Sequence, residues 1–177
     1  MVDSLLKRNP KIHPQLDFPD YKSSILRAPK NKKISFSSTT TEISGPVFNK
    51  NKIGKLDNDL TLNFSKNNTL PVGHKIIVFG TISDQFSKPI EGALIEIWQA
   101  NAAGKYLHHN DNNVAPIDPN FAGCGRSITS SKGYYEFITI QPGPYPYPNR
   151  GIEWRPMHIH FSVFGKSFGQ RLITQMY

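Results

Sequence analysis

Five segments in the second half of the chain are rich in Ile, Val, Phe and Tyr, and each has the length of a strand. They cover residues 75–83, 93–99, 134–140, 158–164 and 171–177. Loops that contain Gly, Pro, Asn and Asp separate them, and no helical periodicity interrupts the series. Short strands divided by such turns predict an all-β fold, an antiparallel β-sandwich.

The first part of the chain lacks this pattern, because prolines recur through it and interrupt any helix. They are Pro10, Pro14, Pro19, Pro29, Pro46 and Pro71. We therefore predict a long, mostly irregular N-terminal arm over residues 1–70 and a sandwich core over residues 71–177. The last segment still reads as a strand when the sequence stops, so the core is expected to be incomplete at its C-terminal end.

Charge is concentrated in the arm. Residues 1–75 contain 13 Lys and Arg against 6 Asp and Glu, whereas residues 76–177 contain 8 against 7. The lysines lie among Asn, Ser and Thr without interleaved aromatic residues or a recognition helix, which favours solvated loops or a subunit contact over nucleic-acid binding. The chain has neither a signal-peptide pattern at residues 1–8 nor a run of ~20 apolar residues, so we expect a cytoplasmic protein.

The lone cysteine excludes an internal disulfide and gives no support for a cysteine-based zinc site. Cys124 lies between two glycines, which favours a small packed residue over a nucleophile.

The candidate chemistry lies in a His-x-His pair and two tyrosines. Successive side chains of a strand point to opposite faces, so His158 and His160 can aim both imidazoles at one point. Imidazole suits iron, zinc, copper and nickel alike, and the pair could also alternate on a strand by chance. Tyr106 and Tyr145 narrow the choice of metal, because a phenolate is a hard anionic oxygen ligand that favours a trivalent ion. Two of them beside two histidines indicate a ferric site.

The sequences around these residues are WQANAAGKY at 98–106, QPGPYPY at 141–147 and WRPMHIH at 154–160. Together they resemble the intradiol ring-cleaving dioxygenases, and within that family the iron-bearing β subunits of protocatechuate 3,4-dioxygenases. The resemblance implies that Tyr106, Tyr145, His158 and His160 hold a non-haem Fe(3+) ion. It also implies cleavage of protocatechuate by O₂ to 3-carboxy-cis,cis-muconate, a step of aromatic degradation by the β-ketoadipate pathway.

The resemblance further assigns roles to individual residues. Tyr145 is expected to leave the metal and accept a substrate proton, Arg155 to stabilise charge on the activated ring, and Gln175 to line the iron pocket. For Arg155 the alternative is a structural pair with Glu153, and for Gln175 it is packing.

Substrate binding is assigned, again by resemblance, to Tyr21, Arg27, Trp98 and Tyr147. Surface roles for the first two and a core role for the tryptophan are the alternatives. Tyr147 stands where many β subunits have a tryptophan, so pocket shape and substrate preference are expected to differ.

The family pattern also implies a partner, an α subunit of the same fold that lacks iron, in a hetero-oligomer. Against the enzymatic interpretation stand a noncatalytic β-sandwich binding module and an inactive truncated subunit. Within the enzyme class, catechol and hydroxyquinol are the alternative substrates.

Overall fold

The computed structural model describes residues 18, 20, 28–31, 53–67, 69–148, 152–165 and 171–177 of the chain. In these ranges every regular element is a strand and there is no helix. The strands are β1 (Lys75–Thr81), β2 (Leu94–Gln99), β3 (Cys124–Ile128), β4 (Tyr134–Ile140), β5 (Tyr145–Pro148), β6 (Ile152–Arg155), β7 (Ile159–Phe164) and β8 (Arg171–Met176). The described part of the chain contains no helix that is long and apolar enough to cross a membrane.

The strands form three sheets. The largest has four strands in the order β3-β2-β7-β8, and all its neighbours are antiparallel. Strand β1 pairs antiparallel with β4, and β5 pairs with β6. The predicted all-β antiparallel sandwich is confirmed.

The core lies between the β1–β4 sheet and one face of the four-stranded sheet, which we call the inner face. Because alternate side chains of a strand share a face, β2 contributes Ile95 and Ile97, and β4 contributes Tyr135 and Phe137. The rings of Tyr135 and Phe161, one from each sheet, lie 6.1 Å apart between centroids. The other members of the cluster are Leu60, Val78, Phe121, Ile140, Ile159 and Val163.

A buried polar contact also joins the two sheets. The amide of Gln99 donates to the carbonyl of Ile140 over 2.6 Å, and the hydroxyl of Thr139 donates to Gln99 Oε1 over 2.9 Å. Buried polar groups are tolerated only when they are paired, and these pairs fix β2 against β4 at its last residues. The loop that carries the first candidate tyrosine leaves β2 from this fixed point.

Part of the range predicted as an arm contributes to the core. Leu60 is fully buried, and its amide donates to the carbonyl of Ile138 on β4 over 2.8 Å. The segment 53–67 therefore packs against the sandwich, while the domain boundary at residue 70 remains a prediction.

All five predicted strands are present with ends shifted by no more than two residues, but β3, β5 and β6 were not predicted. Strand β3 has the sequence CGRSI, with one large apolar residue, and it lies at the edge of its sheet. The prediction that Cys124 is packed is wrong: its side chain is exposed, because it points away from the core on this edge strand.

The chain divides into two compact units. Residues 1–36 and 148–153 form one, of which the structure describes only a few positions. Residues 37–147 and 154–177 form the other, and they contain the core and the candidate metal centre.

Candidate metal centre

The two histidines lie on the outer face of the four-stranded sheet, opposite the core. Ile159 and Phe161 point inward, so His158, just before β7, and His160 within it point outward. Their ring centroids are 4.8 Å apart with the ring planes at 73°. His158 is 3 % exposed, and its Nδ1 lies 2.7 Å from the carbonyl oxygen of Pro156. Since a carbonyl can only accept, Nδ1 carries the proton and Nε2 is left with a free lone pair.

The two tyrosines lie outside the four-stranded sheet, and Tyr106 contacts the histidines. Tyr106 lies in the loop after β2, and its Oη is 3.4 Å from Nε2 of His158. Tyr145 is the first residue of β5, and its ring lies 5.1 Å from that of Tyr106, at 74°. The Tyr106 ring is also 6.4 Å from the ring of His160. The structure thus brings all four predicted metal ligands into one cluster, in which Tyr106 is close to each of the other three.

Trp98 supports His160 from the neighbouring strand. The two residues are directly paired across β2 and β7, and their rings stack 4.7 Å apart with planes within 4°. On its other side Trp98 is paired with the exposed Cys124 of β3. Cys124, Trp98 and His160 therefore form one cross-strand row on the outer face.

Burial favours the neutral form of all four groups. Burial raises the pKa of Tyr106 to about 12, against the lowering effect of Arg155, and the nearby Tyr145 and Asp111 raise it further. Burial likewise raises the pKa of Tyr145, with a contribution from Asp111. For His160, burial and then the charges of His158 and Arg155 lower the pKa to about 4. Burial lowers the pKa of His158 as well.

This donor set fits a ferric ion. Neutral imidazoles offer lone pairs without competition from protons, and a trivalent cation favours the phenolate form of a buried tyrosine. Among the described residues no three His, Cys, Asp or Glu side chains are grouped as a metal site. A metal at this point would instead have two nitrogen ligands and two phenolate oxygens.

Arg155 and Gln175 lie together beside the histidines. The guanidinium Nη2 of Arg155, at the end of β6, donates to Oε1 of Gln175 on β8. Gln175 is paired with His160 across β7 and β8, and its Oε1 also accepts from Oη of Tyr177 over 2.8 Å. The charge of Arg155 lowers the pKa of Tyr106 and of both histidines.

The remaining predicted substrate residues are only partly described. Tyr147 follows Tyr145 by two residues on β5 and so shares its face of the strand. Tyr21 and Arg27 lie outside the described residues.

Asp111 also belongs to the site, although its sequence context did not predict it. Its carboxylate accepts hydrogen bonds from the amide of Tyr106 over 2.8 Å and from Oη of Tyr145 over 3.2 Å, so it touches both tyrosines. Lys105 pairs with it at 3.5 Å, and only 3 % of the aspartate side chain is exposed. Burial opposes ionisation, but hydrogen bonds from Asn113 and Tyr106 and the charge of Lys105 hold the pKa of Asp111 below its usual value. An aspartate in a polar loop gives no signal of this role in the sequence.

The two histidines next to Tyr106 have no part in the cluster. His108 and His109 are exposed and stack on each other at 4.4 Å, as expected of loop residues.

The chain matches known protein families and relatives. Residues 43–177 match the dioxygenase family model, and residues 6–39 match that of the protocatechuate 3,4-dioxygenase beta subunit N terminal region. The chain is 48 % identical over 165 residues to the protocatechuate 3,4-dioxygenase beta chain of Burkholderia cepacia, covering 93 % of this chain and 70 % of that one.

More distant relatives act on other catechols. Catechol 1,2-dioxygenase of Candida albicans is 34 % identical over 119 residues, which are 61 % of this chain and 38 % of that protein. The solved structure of 3-chlorocatechol 1,2-dioxygenase from Rhodococcus opacus 1CP superimposes with a TM-score of 0.55 at 27 % identity, covering 76 % of this chain and 54 % of that one. The chain thus spans about two fifths to half of the length of these two relatives. It belongs to the intradiol ring-cleaving dioxygenases, a family of oxidoreductases that use non-haem iron.

Proposed function

We propose that this chain is the iron-bearing subunit of an enzyme that cleaves protocatechuate with O₂ to 3-carboxy-cis,cis-muconate. The observation that carries the proposal is the convergence of Tyr106, Tyr145, His158 and His160 on the outer face of one sheet. The substrate is inferred from the 48 % identity to the Burkholderia cepacia beta chain and from the match of residues 6–39 to a beta-subunit region.

The four side chains would hold Fe(3+) through two phenolate oxygens and two imidazole nitrogens. A ferric ion bound there would supply Lewis-acid chemistry that makes a catechol ring reactive toward O₂. The rest of the work falls to protein groups that move protons and stabilise charge.

Tyr145 is the proposed proton acceptor. Its Oη lies 3.2 Å from Oδ1 of Asp111, so a phenol that forms there has a carboxylate to which it donates. Because Asp111 also accepts from the amide of Tyr106, the carboxylate keeps its position when Tyr145 gains a proton.

Arg155 is the proposed stabiliser of charge on the ring. Its guanidinium is held by Gln175, opposite His160 across β7 and β8, which fixes a positive charge beside the ligand cluster. Gln175 acts through this hydrogen bond. Tyr21, Arg27, Trp98 and Tyr147 are the proposed contacts to substrate.

The proposed partner is an α subunit of the same fold that lacks iron. It is inferred from the beta-chain relative and from the basic first 75 residues, and it would form a hetero-oligomer with this chain.

The decisive experiment combines metal analysis with turnover. The chain is purified with and without a co-expressed α-type partner and its metal content is measured. It is titrated without oxygen with protocatechuate, catechol and hydroxyquinol, and then mixed with O₂. We expect a ferric, coloured protein that consumes O₂ with protocatechuate and releases the carboxymuconate.

Other outcomes would select an alternative. A colourless, zinc-containing protein would contradict the metal assignment. Ferric protein that consumes O₂ with none of the three substrates, even with the partner, would favour a noncatalytic module or an inactive subunit. Faster turnover of catechol or hydroxyquinol would contradict the proposed substrate but not the proposed type of reaction.

A further inference from the structure

The turn before Tyr106 and the turn before Tyr145 are in contact through the backbone of two glycines, Gly104 and Gly143. Gly104 has a φ of +78°, and a Cβ added there would lie 2.1 Å from the carbonyl oxygen of Pro144. In the opposite direction, a Cβ added at Gly143 would lie 2.5 Å from the carbonyl oxygen of Ala102 and from the amide nitrogen of Gly104. Both contacts are with main-chain atoms, which cannot rotate away as a side chain can.

Hydrogen bonds hold the two turns at this distance. The amide of Gly143 donates to the carbonyl of Asn101 over 2.9 Å and so ties the second loop to the first. Asn101 is buried, with 6 % of the residue exposed, and its side chain shapes the first turn. The Oδ1 atom accepts hydrogen bonds from the amides of Ala103 and Lys105, over 3.0 and 2.9 Å. The contact between the turns is therefore fixed by polar groups on one side and by the lack of side chains on the other.

Each glycine lies two residues before a candidate ligand. Tyr106 follows Gly104 and Tyr145 follows Gly143, and the two tyrosine rings are 5.1 Å apart. Insertion of a Cβ at Gly104 would have to open a 2.1 Å separation to at least 3.0 Å, and this movement would reach both phenol oxygens through short stretches of backbone. Metal ligands must be held within ~0.5 Å of their working geometry.

We propose that Gly104 and Gly143 are positioning residues that set the separation of the two phenolate oxygens for a trivalent metal. This inference rests on the proposed function, because it takes Tyr106 and Tyr145 to be metal ligands. It adds a requirement that the ligand set alone does not contain: the two loops must approach backbone to backbone.

The chain provides a matched control in the turn before β4. Gly133 has a φ of +71°, and a Cβ added there would lie 2.4 Å from the carbonyl oxygen of Ile82. Gly133→Ala therefore brings the same backbone strain and a similar clash as Gly104→Ala. Its contacts are with Ile82, Pro89 and Ile90, none of which belongs to the ligand cluster.

The experiment uses the whole chain loaded with Fe(3+), and with Ga(3+) as a trivalent ion that has no redox chemistry. Wild type, Gly104→Ala, Gly143→Ala and Gly133→Ala are compared by thermal unfolding without metal, by affinity for each ion, and by the phenolate-to-iron charge-transfer band. We expect Gly104→Ala and Gly133→Ala to lower the melting temperature by similar amounts. Only the variants at 104 and 143 should lose about tenfold or more in metal affinity, since misplaced ligand supports cost ~10–100-fold. Their charge-transfer band should also shift.

The alanine variants could fail to fold because the added Cβ clashes with backbone. A further variant, Asn101→Ser, avoids this problem because it removes atoms and adds no clash. It should also weaken metal binding and shift the band. The inference is overturned if the site variants match Gly133→Ala in metal affinity and band position, or if all three alanine variants lose metal equally. If wild type itself binds no ferric ion and shows no band, the proposed function fails instead.

Discussion

His158 and His160 lie just before and within β7, a strand whose other face is packed in the core. By contrast, Tyr106 lies in a loop and Tyr145 at the start of β5, where polar contacts hold both in place. The histidines take their direction from the alternation of β7 and from the burial of Ile159 and Phe161. The tyrosines depend on the carboxylate of Asp111 and on the contact between two turns. The candidate metal site thus has a rigid half, which consists of His158 and His160, and an adjustable half, which consists of Tyr106 and Tyr145. Loss of either histidine should abolish metal binding, whereas changes on the tyrosine side should weaken binding or alter the chemistry.

The largest effect is expected at the histidines. His158→Ala or His160→Ala removes a nitrogen ligand, so iron per folded chain should fall to roughly a tenth or less, because loss of even an indirect support of a ligand costs ~10–100-fold in affinity. His108→Ala and His109→Ala remove exposed imidazoles from the same region and should retain iron. Iron analysis of the four purified variants makes the comparison, and equal loss in all of them would refute the ligand assignment.

Removal of one phenolate should separate binding from chemistry. Tyr145→Phe leaves three ligands and should keep much of its iron, but it lacks the group that accepts a substrate proton. We expect turnover to fall by ~10²–10³-fold, within the range for general acid–base groups. Tyr134→Phe removes an exposed hydroxyl bonded to Glu136 and is the control. Turnover by Tyr145→Phe at the level of Tyr134→Phe would show that the proton goes elsewhere.

Arg155 tests the charge beside the cluster. Arg155→Ala should keep iron and bind protocatechuate, yet slow the oxygen-dependent phase by ~10²-fold, because its charge matters most when the ring becomes electron-rich. Arg126→Ala makes the same change in net charge on β3, where the arginine pairs with Glu96 at 3.2 Å. Rapid mixing with O₂ after anaerobic substrate binding measures this step. An Arg155→Ala rate equal to that of the parent would leave the arginine a structural role.

The smallest effect is expected at Trp98, which contacts the rigid half from the side. Trp98→Phe keeps a ring against His160, whereas Trp98→Leu does not. The second variant should release iron ~2–10-fold faster, since an aromatic pair contributes about 0.5–1.5 kcal/mol beyond burial. Iron release to a chelator measures this rate. If the two variants release iron equally fast but differ in the Michaelis constant for protocatechuate, Trp98 acts on the substrate rather than on the histidine.

The rigid half could be predicted from the sequence more fully than the adjustable half. Alternation in a strand is a local property, so β7 and the shared direction of both histidines followed from the sequence alone. Strand β3 could not be predicted from its sequence, because CGRSI has little apolar content. Its Gly125 lies close to Leu60, 65 residues earlier in the chain, and no local pattern reveals such a contact.

The residues of the site outside the four-stranded sheet could be identified only from the family resemblance or from the structure. Nothing in the local pattern separates Tyr106 and Tyr145 from the other tyrosines. Asp111 was missed because its role depends on bringing residues 106, 111 and 145 together, which is a consequence of the tertiary fold. The prediction of a packed Cys124 failed because two neighbouring glycines mark close backbone approach, as at Gly125, and not burial of the residue between them.

The cross-strand row of Cys124, Trp98 and His160 makes the protein convenient for spectroscopy. Cys124 is the chain's one thiol, it is exposed, and it lies two strands from a histidine of the cluster, about 10 Å at the usual spacing between neighbouring strands. A nitroxide attached there would sense a paramagnetic ferric ion by accelerated relaxation and would be silent to gallium. Occupancy of the centre could then be followed in crude mixtures, without substrate, by a reporter that needs no added cysteine.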